Sequence, residues 1–176
     1  MDKQLQQFRQ SVDDFMQRHP QSPLDRKRRR TFTGLSYYPE NPDLIVEVDV
    51  EPIESLEALH IPTSTGQDVP FTRWGKVSFQ VNGQAATLTI LSDQSGGLFL
   101  PFRDATSGRE TYGAGRYMDD HRPAIEYIGR NRLRLNFNYA YSPYCAYSAD
   151  YSCPLPPREN WLSIPIEAGE KDFPSG

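Results

Sequence analysis

Hydrophobic residues recur at three- and four-residue steps over residues 1–18, as Leu5, Phe8, Val12, Phe15 and Met16, with Gln, Arg and Asp on the opposite face. That spacing predicts an amphipathic helix. Pro20 and Pro23 end it, because proline lacks an N–H donor and clashes with the preceding turn. After a basic run the period falls to two. Val46, Val48 and Val50 alternate with Glu47 and Asp49, as in a strand buried on one face. A polar stretch follows around Ile61–Gly66. Val77, Phe79 and Val81 then alternate up to Asn82-Gly83, and Ala86, Leu88 and Ile90 alternate after it. Asn-Gly accepts positive φ at both central positions, which a two-residue hairpin turn requires, so a hairpin is predicted here.

Gly96-Gly97 opens Leu98–Phe102, apolar on both faces and so expected to be buried, with Pro101 restricting its pairing. Residues 103–118 read as a polar, glycine-rich segment. A strand over 125–128 turns at Gly129-Arg130-Asn131. It returns with Leu133, Leu135, Phe137 and Tyr139 on one face and Arg132, Arg134, Asn136 and Asn138 on the other. Leu162, Ile164 and Ile166 alternate once more, and Pro165 marks them as an edge strand or extended segment. The last residues, through Pro174-Ser175-Gly176, are expected to fray. One helix and about seven short strands joined by hairpins predict a mainly β fold. The expected form is an antiparallel small barrel or two-sheet sandwich with an N-terminal amphipathic helix. Residues 1–30 are read as helix and basic connector, and 31–176 as a single β-rich domain.

Composition narrows the function classes. Fifteen prolines and 12 glycines in 176 residues argue against a helical bundle. No apolar run reaches the length of a bilayer span, so a helical membrane protein is excluded. The start, Met1-Asp2-Lys3-Gln4, carries no apolar signal core, and a cytoplasmic location is expected. The net charge is −4, yet five basic residues sit together as Arg26-Lys27-Arg28-Arg29-Arg30, which leaves the remainder strongly acidic. Nucleic-acid binding needs a basic face across a fold and is not expected; the run reads as a solvated connector. Cys145 and Cys153 lie eight positions apart, which permits a small disulfide loop but matches neither a zinc knuckle nor a thioredoxin-type pair; free thiols are expected. His19, His60 and His121 are scattered, and Asp119-Asp120-His121 reads as a solvated turn, so neither a metal site nor a cofactor is expected.

Two segments concentrate chemistry. Arg103-Asp104-Ala105-Thr106-Ser107-Gly108-Arg109-Glu110-Thr111-Tyr112-Gly113-Ala114-Gly115-Arg116-Tyr117 gathers arginines, carboxylates and hydroxyls between glycines that permit close backbone approach. Guanidinium groups bind carboxylate or phosphate with paired donors, so this segment reads either as an anion-recognising loop or as an internal ion-pair network. It lacks the Gly-Lys-Ser/Thr ending of a phosphate-binding loop. The second segment runs from Asn136 to Pro157 and holds five of the ten tyrosines between 139 and 151. Tyr combines apolar area with a polar tip, so Asn136, Tyr139, Tyr144 and Cys145 read as pocket floor or as a packed loop. A cysteine nucleophile needs a base, and no histidine is near Cys145 in sequence.

These segments, with Pro143-Tyr144-Cys145-Ala146-Tyr147 and Ser152-Cys153-Pro154-Leu155-Pro156-Pro157, resemble the family called domain of unknown function 1684, mostly short bacterial and archaeal proteins. The likeness extends to Gly34-Leu35-Ser36-Tyr37-Tyr38-Pro39 and to Ala168-Gly169-Glu170-Lys171. The resemblance implies no activity, and it marks both segments as characteristic of the family. Asn136 stands where the family pattern has Asp, and Tyr151 where it has Trp. If that Asp served as base or metal ligand, Asn136 would remove its charge.

The expected function is binding of a small anionic ligand. Arg103, Arg109 and Arg116 supply charge, Asp104 and Glu110 balance it, and Tyr112, Asn136, Tyr139, Tyr144 and Cys145 supply walls and hydrogen bonds. The alternatives are an enzyme using the same pocket through Cys145 or Asp104, and a protein-interaction module docking through the helix or basic run. No nucleic acid or membrane is expected as partner, and the oligomeric state is left open.

Overall fold

The computed structural model describes residues 1–55 and 57–174; of the predicted frayed end, residues 175–176 lie outside them. Helix α1 spans Lys3–Arg18 and is capped by the Asp2 carboxylate, which accepts from the Leu5 amide. Helix α2 spans Arg26–Thr31, where a solvated connector is predicted. Asp25 caps it by accepting from the Arg28 amide at 2.8 Å, and Arg29 folds back to donate to the Leu24 carbonyl at 2.9 Å. These contacts convert the basic run into a turn and a half of helix.

Eight strands follow: β1 Ile45–Pro52, β2 Ala58–Pro62, β3 Asp68–Val81, β4 Gln84–Ser92, β5 Leu98–Phe102, β6 Arg116–Asp119, β7 Ile125–Gly129 and β8 Arg132–Asn136. They form one curled antiparallel sheet, a half-barrel, in the order β6-β5-β4-β3-β1-β8-β7, with β2 also paired to β3. The long β3 serves two partners on one edge: residues 68–72 pair with β2 and residues 75–77 with β1. A register shift between Arg73 and Gly75 divides the two stretches. Gly75 has no substitute there, because a Cβ would fall 2.5 Å from the Val50 side chain. The predicted hairpin joins β3 and β4, with Asn82 and Gly83 both at positive φ.

The alternating apolar residues form the core. Val48, Val50, Val77, Leu88, Ile90, Leu100, Leu133, Leu135 and Phe137 are buried together, and Leu5 of α1 joins them. The outer face carries cross-strand charges, including Arg132 and Arg134 beside Glu47. Three details depart from the sequence pattern. β2 occupies part of the polar stretch near residue 61. β6 emerges from the segment read as polar loop, and all four of its residues are buried. Phe137–Tyr139 is a 3₁₀ turn rather than strand, because the Asn136 side chain accepts from the Asn138 amide and breaks the ladder.

Residues 162–166 form no strand of the sheet, and instead of the expected edge strand or extended segment the chain bends at Ser163–Ile164. The Leu162 amide donates to the Arg103 carbonyl and the Ala105 amide to the Ile164 carbonyl. Pro101 has a comparable consequence inside the sheet. Its carbonyl faces β4, and there the buried Asn160 amide inserts as a surrogate peptide group. Asn160 Nδ2 donates to the carbonyls of Thr89 and Pro101, and its Oδ1 accepts from the Thr89 amide.

Candidate functional site

The structure separates the sequence-selected residues into five places. Asp104 and Arg116 lie in the interior, with side chains fully buried and Arg116 Nη2 3.5 Å from Asp104 Oδ2. The Arg116 guanidinium also donates to the carbonyls of Ile166, Ala168 and Glu170. The Asp104 carboxylate accepts from the Ile166 amide and from the hydroxyls of Thr106 and Ser107. Each group meets the demand of buried charges for both a counterion and hydrogen bonds. Together they strap the chain's C-terminal segment to the sheet. Gly115 makes this possible: its φ is +109°, and a Cβ there would lie 2.6 Å from the Phe102 carbonyl oxygen.

Arg103 stacks its guanidinium 4.5 Å from the Trp161 ring centre. Arg109 and Glu110 are exposed at the tip of a tight turn closed by hydrogen bonds to the Thr106 carbonyl. Asn136 and Tyr139 line a depression of about 230 Å³ shared with Asp2, Glu40, Glu126 and Arg134. Its carboxylates outnumber its one arginine, so it does not suit an anion.

Tyr112, Tyr144 and Cys145 gather elsewhere, near a second depression of about 310 Å³ lined by Tyr117, Arg122, Tyr141, Pro143, Tyr144, Tyr151 and Cys153. Its floor is built where β6 meets the segment after the 3₁₀ turn. Tyr117 and Tyr141 exchange backbone hydrogen bonds in both directions, which sets their rings edge to face at 5.8 Å. The Tyr117 hydroxyl donates to the Pro154 carbonyl, and the Tyr141 hydroxyl to the Asp119 carboxylate. Burial raises both phenols well above the ordinary range, so they remain neutral. With their hydroxyls committed, these rings offer apolar faces. Tyr144 packs edge-on against Tyr151 at 5.2 Å and forms the opposite wall.

Arg122 lies over the Tyr141 ring, its Cζ 3.7 Å from the ring centre. Among the described residues no carboxylate lies within ion-pair distance of it. The nearby Glu170 side chain is wholly buried, and desolvation lifts its carboxyl to about 8 against the opposing pull of Arg122 and Arg116. Burial thus favours the protonated form of Glu170, and Arg122 stands without a direct ion-pair partner among the described residues.

Arg122, Tyr117, Tyr141, Tyr151 and Cys153 were not selected from sequence. The tyrosine-dense segment was the available signal for Tyr141 and Tyr151. Nothing in the local pattern singles out Arg122, which follows Asp119-Asp120-His121. In that turn Asp119 accepts from the His121 amide and Asp120 from the Leu98 amide. Among the described residues no group of three His, Cys, Asp or Glu side chains is placed to hold a metal ion. No helix there is long and apolar enough to cross a membrane.

No curated protein matches the chain. The solution NMR structure of an uncharacterised protein from Haloarcula marismortui is similar, at 40% identity and a TM-score of 0.71, covering 96% of this chain and 92% of the other. Residues 30–171 match the family described as protein of unknown function DUF1684, a stretch that takes in the buried Asp104–Arg116 strap, the tyrosine-walled depression and both cysteines. The chain belongs to the DUF1684 family.

Proposed function

We propose that the protein binds a small anion with a flat apolar body, a carboxylate on an aromatic or similar ring, in the Arg122–tyrosine depression. The observation that carries this reading is the Arg122 guanidinium lying on the Tyr141 face, without an ion-pair partner among the described residues, in the lining of an otherwise apolar cleft. A guanidinium held flat by a ring presents its N–H edge for paired hydrogen bonds to a carboxylate. The faces of Tyr117 and Tyr141 and the Pro143 ring then cover the ligand body. The volume of about 310 Å³ lies at the small end of ligand sites. Of the sequence-selected residues, Tyr144 lines this cleft, and Cys145 adjoins it through the lining Cys153, with Tyr112 behind Cys145. Arg122 takes the role expected of Arg103, Arg109 and Arg116.

Benzoate and its neutral counterpart benzyl alcohol test the reading by isothermal titration calorimetry. A charge-assisted hydrogen bond contributes about 1.5–3 kcal/mol, so benzoate is expected to bind roughly 10- to 100-fold more tightly than benzyl alcohol. Arg122→Ala is expected to abolish the difference. Equal affinities for the two, or an Arg122→Ala protein that still prefers benzoate, would overturn it.

A further inference from the structure

The two cysteines share one side of the same region but pose a separate question. Both are free thiols, Cys145 half-buried and Cys153 buried. They belong to one loop folded so that the Cys145 amide donates to the Cys153 sulfur at 3.3 Å. The Tyr112 hydroxyl approaches the Cys145 sulfur at 3.7 Å from the loop preceding β6. Ser64, from the turn after β2, sits on the other side, its Oγ accepting from the Cys153 amide at 3.1 Å. The Tyr112 hydroxyl is thus a donor within reach of the Cys145 sulfur, and the neighbouring Cys153 thiol and Ser64 hydroxyl also favour its thiolate. Tyr117 of β6 is a further titratable neighbour of both thiols, and Asp172 of the C-terminal segment lies near Tyr112. The more exposed thiol is the one with the donors, and the more buried one is positioned behind it.

We propose that Cys145 and Cys153 are a redox-active dithiol, in which Cys145 attacks hydroperoxides and Cys153 closes the product into an intramolecular disulfide. In the first step the Cys145 thiolate attacks the terminal peroxide oxygen. An S–O bond forms, the O–O bond breaks, and the departing alkoxide, or hydroxide from hydrogen peroxide, takes from solvent the proton that Cys145 released on ionising and leaves as an alcohol or as water. Cys145 becomes a sulfenic acid, oxidised by two electrons as the peroxide is reduced. In the second step the Cys153 sulfur attacks the Cys145 sulfur. An S–S bond forms, the S–O bond breaks, and hydroxide leaves with the Cys153 proton as water. The sum is two thiols and one hydroperoxide giving one disulfide, one water and one alcohol, or a second water from hydrogen peroxide.

The hydrogen bonds divide the labour. The Cys153 thiol, first among the donors, draws the Cys145 thiol down to about 6. The same bond pushes the Cys153 thiol up, because ionising it beside a thiolate is unfavourable. Oxidation of Cys145 removes that neighbouring charge and frees Cys153 to react when its turn comes.

At neutral pH the larger thiolate fraction of a low-pKa cysteine is largely offset by its weaker nucleophilicity, so pH 6 is the informative condition. There a thiol drawn down to about 6 is substantially thiolate, while an ordinary thiol is almost wholly protonated. After the nucleophilicity penalty, Cys145 is expected to react with hydrogen peroxide about tenfold faster than glutathione. Wild-type protein is expected to lose two hydrogens in intact mass and both alkylatable thiols together. Cys153→Ser is expected to stall as a Cys145 sulfenic acid trapped by dimedone, and Cys145→Ser to form neither product. Should either variant fail to fold, peptide mapping of iodoacetamide labelling at pH 6 makes the test on wild-type protein, with Cys145 expected to be modified well before Cys153. The proposal is overturned if the pH 6 rate equals that of glutathione, if Cys145→Ser keeps the wild-type reactivity, or if both cysteines are labelled together. None of these readouts involves benzoate, so they stand or fall apart from the ligand reading.

Discussion

Replacing Arg116 by Met removes a fully buried guanidinium while keeping most of its volume. Four acceptors then lose their donor: the carbonyls of Ile166, Ala168 and Glu170, and the Asp104 carboxylate 3.5 Å away. The carboxylate dominates the cost, because an unpaired charge in the interior is far more expensive than an unpaired carbonyl. Breaking a buried pair by removing one partner costs about 3–5 kcal/mol. For a chain of this size that is a substantial share of the roughly 5–15 kcal/mol holding a domain together, and a fall in Tm on the order of 10 °C. Thr106, Ser107 and the Ile166 amide still bond Asp104, which places the expected loss nearer the lower bound. Urea unfolding of Arg116→Met, Asp104→Asn and the double variant measures it. The double variant should lose less than the sum of the singles, since it leaves no lone charge. A loss under about 1 kcal/mol for Arg116→Met, or strict additivity, would show that the ion pair does not fasten residues 162–170 to the sheet.

Asn160→Ala deletes three buried hydrogen bonds that bridge Thr89 and Pro101, and it should cost roughly 2–4 kcal/mol in the same assay, from bonds worth about 1 kcal/mol each plus the acceptors left bare. A loss below about 0.5 kcal/mol would mean that water replaces the amide there. Glu170 sets a pH dependence. Its folded carboxyl holds its proton up to about 8, above the ordinary 4.5, so the folded state binds the extra proton between those values. Its contribution is therefore fully present below about 4.5 and is lost as pH rises through 8. Glu170→Gln should flatten the stability profile across that window in thermal melts, and an unchanged slope would assign the effect to other groups.

The strands were legible because a sheet with one solvated face imposes a period of two on its residues. Val46–Val50, Val77–Ile90 and Leu133–Leu135 therefore mark β1, the β3–β4 hairpin and β8 directly. β6 was not legible: Arg116 and Asp119 are buried polar residues satisfied by distant partners, and their types alone suggest a surface loop. The same ambiguity affected the site. An arginine that neutralises an interior carboxylate and one without an ion-pair partner among the described residues look alike in sequence, and only the buried partners of Arg116 separate it from Arg122. The tyrosine-rich segment did announce the walls. Which tyrosines face the cleft depends on the Tyr117–Tyr141 backbone pairing across more than twenty residues, which no local pattern encodes. The cysteine spacing left bridged and free forms open, and the hydrogen bond from the Cys145 amide to the Cys153 sulfur is what shows the two to be neighbours as thiols.

The most direct test of the ligand site is an NMR titration that follows the tyrosine ring resonances as benzoate is added. The account predicts saturable shifts at Tyr117, Tyr141, Tyr144 and Tyr151, the four rings lining the Arg122 cleft, and their disappearance in Arg122→Ala. Shifts confined to the basic α2 region, or none at these four rings at any benzoate concentration, would contradict it.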